Sequence, residues 1–300
     1  MLRQVFITSD KGSQPFVIAG SGTLGWDLVA ANLVERGDEV LVCHTGYFGD
    51  SFAECLDSYG VRATQLRAPI GSSPNLDEVS QALSAKNYKA ITITHVDTST
   101  GVLSNLQKIS QIVRKVSPET LIVVDGVCSV GAEELYFDAW GIDVALTASQ
   151  KALGTPPGLS VMMVSKRAMD VFYSRRTNPS SYYASFKKWT PIMQAYESRK
   201  PMYFATPPTN LIYALHTSLK QILSQTMEKR FEEHRKASNK VKSAIKELGL
   251  KQLAEKEEDQ ANAMTAAYLP EGVTLPEFMP KVMQSNVILA GGLHKDIASK

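Results

Sequence analysis

The sequence predicts an α/β fold: a mostly parallel sheet of the seven-stranded type with helices on both faces, followed by a smaller, incomplete α+β piece. Three observations predict it. Short apolar runs alternate with helical patterns through the first half of the chain. Several runs, TLIVVDGV at 120–127 among them, show no polar alternation, as strands covered on both faces should not. The first run, FVIA at 16–19, leads directly into the glycine-rich GSGTLG and then a helical pattern.

The elements follow in order. A strand at 16–19 precedes a helix at about 23–36. DEVLVCHTG is a strand ending in a glycine turn, and Ser51–Ser58 is helical. VRATQL is a strand, Leu76–Ser84 a helix, YKAITITHV a strand and Leu106–Val116 a helix. TLIVVDGV, IDVALTAS and LSVMMVS are three further strands. Around Pro191–Pro208 the pattern turns irregular and aromatic, and long helices follow from about 209 to 247. The charged, aperiodic run Lys251–Asp259 reads as a solvated linker. AMTAAYLP, LPEFMPKVMQ and NVILAGG then read as strand, helix and strand.

Composition bounds the function. With 44% apolar and 21% charged residues in 300, the chain is an ordinary globular sequence. A formal net charge of +2 supplies no general attraction for nucleic acid or a membrane surface. No apolar run approaches a membrane span, and the N-terminus has no signal-peptide core. Cys43, Cys55 and Cys128 form no C-x-x-C, so they read as reduced thiols, neither a disulfide framework nor a zinc site. The five histidines show no ligand spacing, and no metal is expected. The expected location is cytoplasmic. A peroxisomal or mitochondrial address would lie in terminal segments outside this sequence.

Gly20-Ser21-Gly22-Thr23-Leu24-Gly25 matches the G-x-G-x-x-G fingerprint of dinucleotide folds. Such a turn offers backbone N–H groups at a helix N-terminus, which suits any phosphate. A dinucleotide site also needs an acid at the end of the second strand, for the ribose hydroxyls. Here that end carries His44 and Thr45, and Glu39 lies at the wrong end, so the dinucleotide reading fails. Two downstream residues point elsewhere. Asp125 ends a buried strand, and Lys151 follows another, 26 residues later, before the Gly- and Pro-rich loop LGTPPG. Phosphate cradle, carboxylate and lysine together are what pyridoxal 5'-phosphate requires. The lysine bonds to the cofactor, and the carboxylate keeps its ring nitrogen protonated so that the ring acts as an electron sink. On this reading residues 1–225 form the PLP-binding large domain and 226–300 an incomplete small domain.

The segments AGSGTLGWD, THVDTSTGVL, VVDGVCSVG, DVALTASQKALGTPPGLS and YFATPP resemble class V, fold-type I aminotransferases of the alanine–glyoxylate and serine–pyruvate kind. The cysteine-desulfurase branch is less similar, since it has a histidine where this chain has Gln150. The resemblance implies that Ser21, Gly22 and Thr23 bind the cofactor phosphate, with Gln150 beside it. It implies that Phe48 stacks on the ring, Val127 packs on its other face, and Thr98 contacts the ring region. Asp125 would pair with the ring nitrogen, and Lys151 would carry the cofactor. Tyr203 and Thr206 would reach the cofactor phosphate of a neighbouring subunit, implying a homodimer with shared sites. Core packing is the alternative for Phe48 and Tyr203. The implied reaction moves the amino group of L-alanine to glyoxylate, with serine as an alternative donor. The rival of another class is an inactive cofactor-domain fragment. The sequence also departs from the family's pattern. An N-terminal Pro-Gly-Pro segment is missing, and Gly291-Gly292 is not followed by the arginine that binds the substrate carboxylate. Both ends therefore read as cut, and no arginine earlier in the sequence is an evident substitute, Arg175 and Arg199 being examples of those that remain.

Overall fold

A computed structural model describes residues 1–297. Its elements are α1 (Leu2–Val5), β1 (Gln14–Ala19), α2 (Leu24–Asn32), β2 (Glu39–His44), α3 (Tyr47–Ser58), β3 (Arg62–Arg67), α4 (Leu76–Ala85), β4 (Ala90–Thr94), β5 (Val96–Asp97) and β6 (Val102–Leu103). They continue with α5 (Leu106–Val116), β7 (Leu121–Asp125), β8 (Val144–Ala148), β9 (Leu159–Val164), α6 (Lys166–Tyr173), α7 (Phe186–Glu197), α8 (Thr209–Ile222), α9 (Met227–Glu247) and α10 (Leu275–Gln284). Seven strands form one sheet in the order β1-β9-β8-β7-β4-β2-β3, and β5 pairs with β6 apart from it. All neighbours in the large sheet are parallel except β9, which runs antiparallel to β1 and β8. The α/β architecture is as the sequence predicts.

Alternating strand side chains feed two cores. Val40, Val42 and Val123 pack on one face beneath α2, α6 and α7; Leu41, Ile122 and Val124 pack on the other beneath α4, α5 and α8. This two-sided burial is why the strands lack polar alternation. Close packing constrains the sequence at particular points. A Cβ on Gly49 of α3 would fall 1.9 Å from the His44 Cβ, so this helix can lie against the end of β2 only with glycine there.

Several elements differ from the sequence reading. The helix expected to reach residue 36 stops at Asn32. There the Asn32 amide donates to the Leu28 and Ala184 carbonyls, both at 2.7 Å, and its oxygen accepts the Phe186 N–H at 2.7 Å. The helix expected from Ser51 begins at Tyr47. Part of the irregular stretch expected from Pro191 is helical: α7 carries Pro191 inside it and is kept by burial of Trp189, Ile192 and Met193. The supposed linker is tied down, with Leu253 and Ala254 buried and the Asp259 carboxylate accepting the Ser73 N–H at 3.3 Å. The two late strands do not form. AMTAAYLP makes one isolated bridge, Gln252 to Ala267, and NVILAGG is irregular, with Ile288 92% exposed. A strand needs a neighbour to receive its N–H groups, and none of the described strands pairs with either segment.

Candidate active site

Because β1, β2, β4, β7 and β8 share one direction, their carboxyl ends open on the same edge of the sheet. The loops leaving that edge line a cavity of about 200 Å³. Ser21, Gly22 and Thr23 come from the loop after β1, Phe48 from the start of α3 and Thr98 from the loop after β5. Asp125 and Val127 come from β7 and its loop, and Gln150 and Lys151 from the turn after β8. Residues more than a hundred positions apart are thus brought together.

The turn after β1 is shaped for an anion. The N–H groups of Ser21, Gly22 and Thr23 donate to no protein acceptor among the described residues, and they stand at the N-terminus of α2. A Cβ on Gly22 would lie 2.7 Å from Val127 Cγ2, so a larger residue would fill the cradle.

Asp125 is the last residue of β7 and 4% exposed. Its Oδ1 accepts the Val127 N–H at 3.0 Å, and its Oδ2 accepts the Trp26 indole N–H at 2.8 Å. Burial pushes its carboxyl up to about 6, against the pull of those two hydrogen bonds. A carboxylate so placed is best compensated by a cation in the cavity, and a protonated pyridine nitrogen fits. Free amides at one end, this carboxylate and Lys151 suit pyridoxal 5'-phosphate.

Phe48 owes its position to residues outside α3. Asp97, fully buried, accepts the Phe48 N–H through Oδ2 at 3.1 Å, and its Oδ1 accepts the Ser99 N–H and hydroxyl at 2.8 and 2.6 Å. Ser99 Oγ in turn accepts the Tyr47 N–H at 2.9 Å. The first turn of α3 is therefore capped from the end of β5 and the loop after it.

Nine of the eleven residues singled out from the sequence meet here, and two do not. Tyr203 is 72% exposed, its hydroxyl 3.3 Å from Thr206 Oγ1. Thr206 lines a separate, mainly apolar cavity of about 350 Å³ with Trp189, Met193 and Pro207. No arginine among the described residues lines the Lys151 cavity. Arg175 instead donates to the Val34 carbonyl at 2.6 Å. Sequence reasoning missed Trp26 and Asp97. Trp26 is the third residue of α2, the helix that the glycine turn opens, and that placement was the available signal. No group of three or more potential metal ligands occurs among the described residues, and no described helix is long and apolar enough to cross a membrane.

This fold and site define a fold-type I enzyme that uses pyridoxal 5'-phosphate. Residues 6–296 match the family Aminotransferase class-V, and the chain belongs to it. It is 46% identical over 296 residues to alanine–glyoxylate aminotransferase 1 of Saccharomyces cerevisiae, covering 96% of this chain and 76% of that protein. The crystal structure of an alanine–glyoxylate aminotransferase from Nostoc sp. superposes with a TM-score of 0.91 at 29% identity, covering 99% of this chain and 77% of that one. An aspartate aminotransferase from Thermus thermophilus superposes with a TM-score of 0.87 at 28% identity, covering 100% and 80%. The chain is accordingly a transaminase of the alanine–glyoxylate and serine–pyruvate group, acting on small amino and 2-oxo acids.

Proposed function

We propose that the chain transfers the amino group of L-alanine to glyoxylate, giving pyruvate and glycine. The observation that carries this choice of substrates is the 46% identity to the yeast enzyme of that name. When bound, the cofactor supplies an electron sink for charge developing at the substrate α-carbon. The protein residues do the rest. The Ser21–Thr23 amides hold the phosphate, and Phe48 and Val127 confine the ring from its two sides. Asp125 holds a proton at the ring nitrogen. Lys151 Nζ carries the cofactor between turnovers and moves a proton at the α-carbon. Thr98 and Gln150 line the ring and phosphate ends.

The site is completed, on this proposal, in a homodimer. Tyr203, next to Thr206, is exposed, and so are Tyr182 and Met202, as residues that meet a second copy would be. The test is an assay of glycine formation with glyoxylate as acceptor, comparing alanine, serine and aspartate as donors. Alanine should give the highest kcat/KM; a preference for serine or aspartate would replace the proposed donor. Borohydride should fix the cofactor to the peptide holding Lys151, and label on Lys166 would overturn the assignment.

A further inference from the structure

Behind the cavity, a cation is built against the turn that carries Lys151. Three successive carbonyls of that turn are taken by three different donors. The Gly154 N–H donates to the Lys151 carbonyl at 2.9 Å, Arg230 Nη2 to the Ala152 carbonyl at 2.7 Å, and the Ser218 hydroxyl to the Leu153 carbonyl. The same guanidinium donates through Nε to the Gly131 carbonyl at 2.7 Å, in the loop that follows Asp125 and Val127. Neither the Gly131 nor the Ala152 carbonyl has another donor among the described residues. One edge of a planar, rigid fork therefore spans the two loops that present the reacting groups.

The fork is itself fixed. Arg230 lies in the first turn of α9, whose Met227 and Phe231 are buried in the core shared with β7. The guanidinium is half-buried, and its bonds run to neutral carbonyls, so its geometry is not traded among surface carboxylates.

We propose that Arg230 is a positioning residue for Lys151: anchored through α9, it holds the Lys151 turn in register with the loop leaving Asp125. The proposal rests on Lys151 being the cofactor-bearing residue. Its physical basis is reach. One amine must serve both the cofactor and the substrate α-carbon, and a displacement of about 1 Å can cost on the order of a hundredfold in rate.

The test uses Arg230→Met, which keeps the apolar stem, and Arg230→Lys, which keeps the charge but has one donor atom instead of a fork. In the cofactor-free chain, hydrogen exchange in the Met variant should quicken about tenfold at amides near 131–133 and 152–155 and stay unchanged elsewhere. In the loaded enzyme, kcat should fall about tenfold while KM for the donor moves less than about twofold, with the Lys variant recovering only part of the loss. Wild-type exchange in both loops would overturn the proposal, as would exchange rising across the whole chain or a Lys variant with full activity. If the Met variant does not fold, the same exchange measurement on the Lys variant decides. Borohydride fixation on the wild-type chain checks the Lys151 reading separately, so the two can fail independently.

Discussion

Asp125 and Trp26 carry a conflict between stability and function. Burial raises the Asp125 carboxyl to about 6 from its ordinary 3.8, so the folded, cofactor-free chain keeps a proton that the unfolded chain has released. Stability from this group is therefore lost as pH rises between about 4 and 6 and stays lost above, by about 3 kcal/mol. Asp125→Asn removes that titration. Relative to wild type, the variant should gain about 3 kcal/mol between about pH 4 and pH 7 in urea unfolding, while losing cofactor affinity at pH 7. A difference that stays flat with pH would show a solvated carboxylate. Trp26→Phe deletes one of the two donors to Asp125 and should weaken cofactor binding by about 1–3 kcal/mol, read as its dissociation constant. Unchanged affinity would make the indole N–H dispensable. Lys151 and Asp125 were legible in the sequence because a charged residue ending an apolar strand stands out. Trp26 was not, because a tryptophan within a helix has the spacing of a core residue and its partner lies 99 positions away.

At the scale of the element, α3 shows how a helix start can be decided from outside the helix. Gly46 precedes it with no side chain to cap it, so local signals favoured a later start at Ser51. Asp97 and Ser99 supply the missing acceptors. Asp97→Ala should cost about 1–3 kcal/mol of stability and fray the first turn that carries Phe48, weakening the cofactor as well. Thermal unfolding together with cofactor titration checks this, and a loss of stability with unchanged cofactor affinity would separate Phe48 from the ring. By contrast α5 agrees with its sequence reading at both ends, since the Asn105 side chain accepts the Lys108 N–H at 3.2 Å and the cap is local. The failed strands at 263–270 and 286–292 follow the same rule: alternation and apolarity are local, and a pairing partner is not.

For the whole molecule, the proposal of shared sites in a dimer makes a distinct prediction. A Lys151→Ala chain and a Tyr203→Ala chain should each be impaired alone, and refolding them together should regain on the order of a quarter of the dimers' sites. No recovery in a mixture shown to be dimeric would place Tyr203 outside the partner's site. The sequence by itself determined the α/β class, the glycine turn, the carboxylate and the lysine, because period, glycine placement and charge at strand ends are written within a few neighbouring residues. Only the tertiary structure decided what holds those groups. Trp26 on Asp125, Asp97 on the α3 cap and Arg230 across two loops are contacts between segments 49 to 99 residues apart. Such contacts exist because a parallel sheet delivers its loops to one edge, a consequence of strand order that no local pattern records.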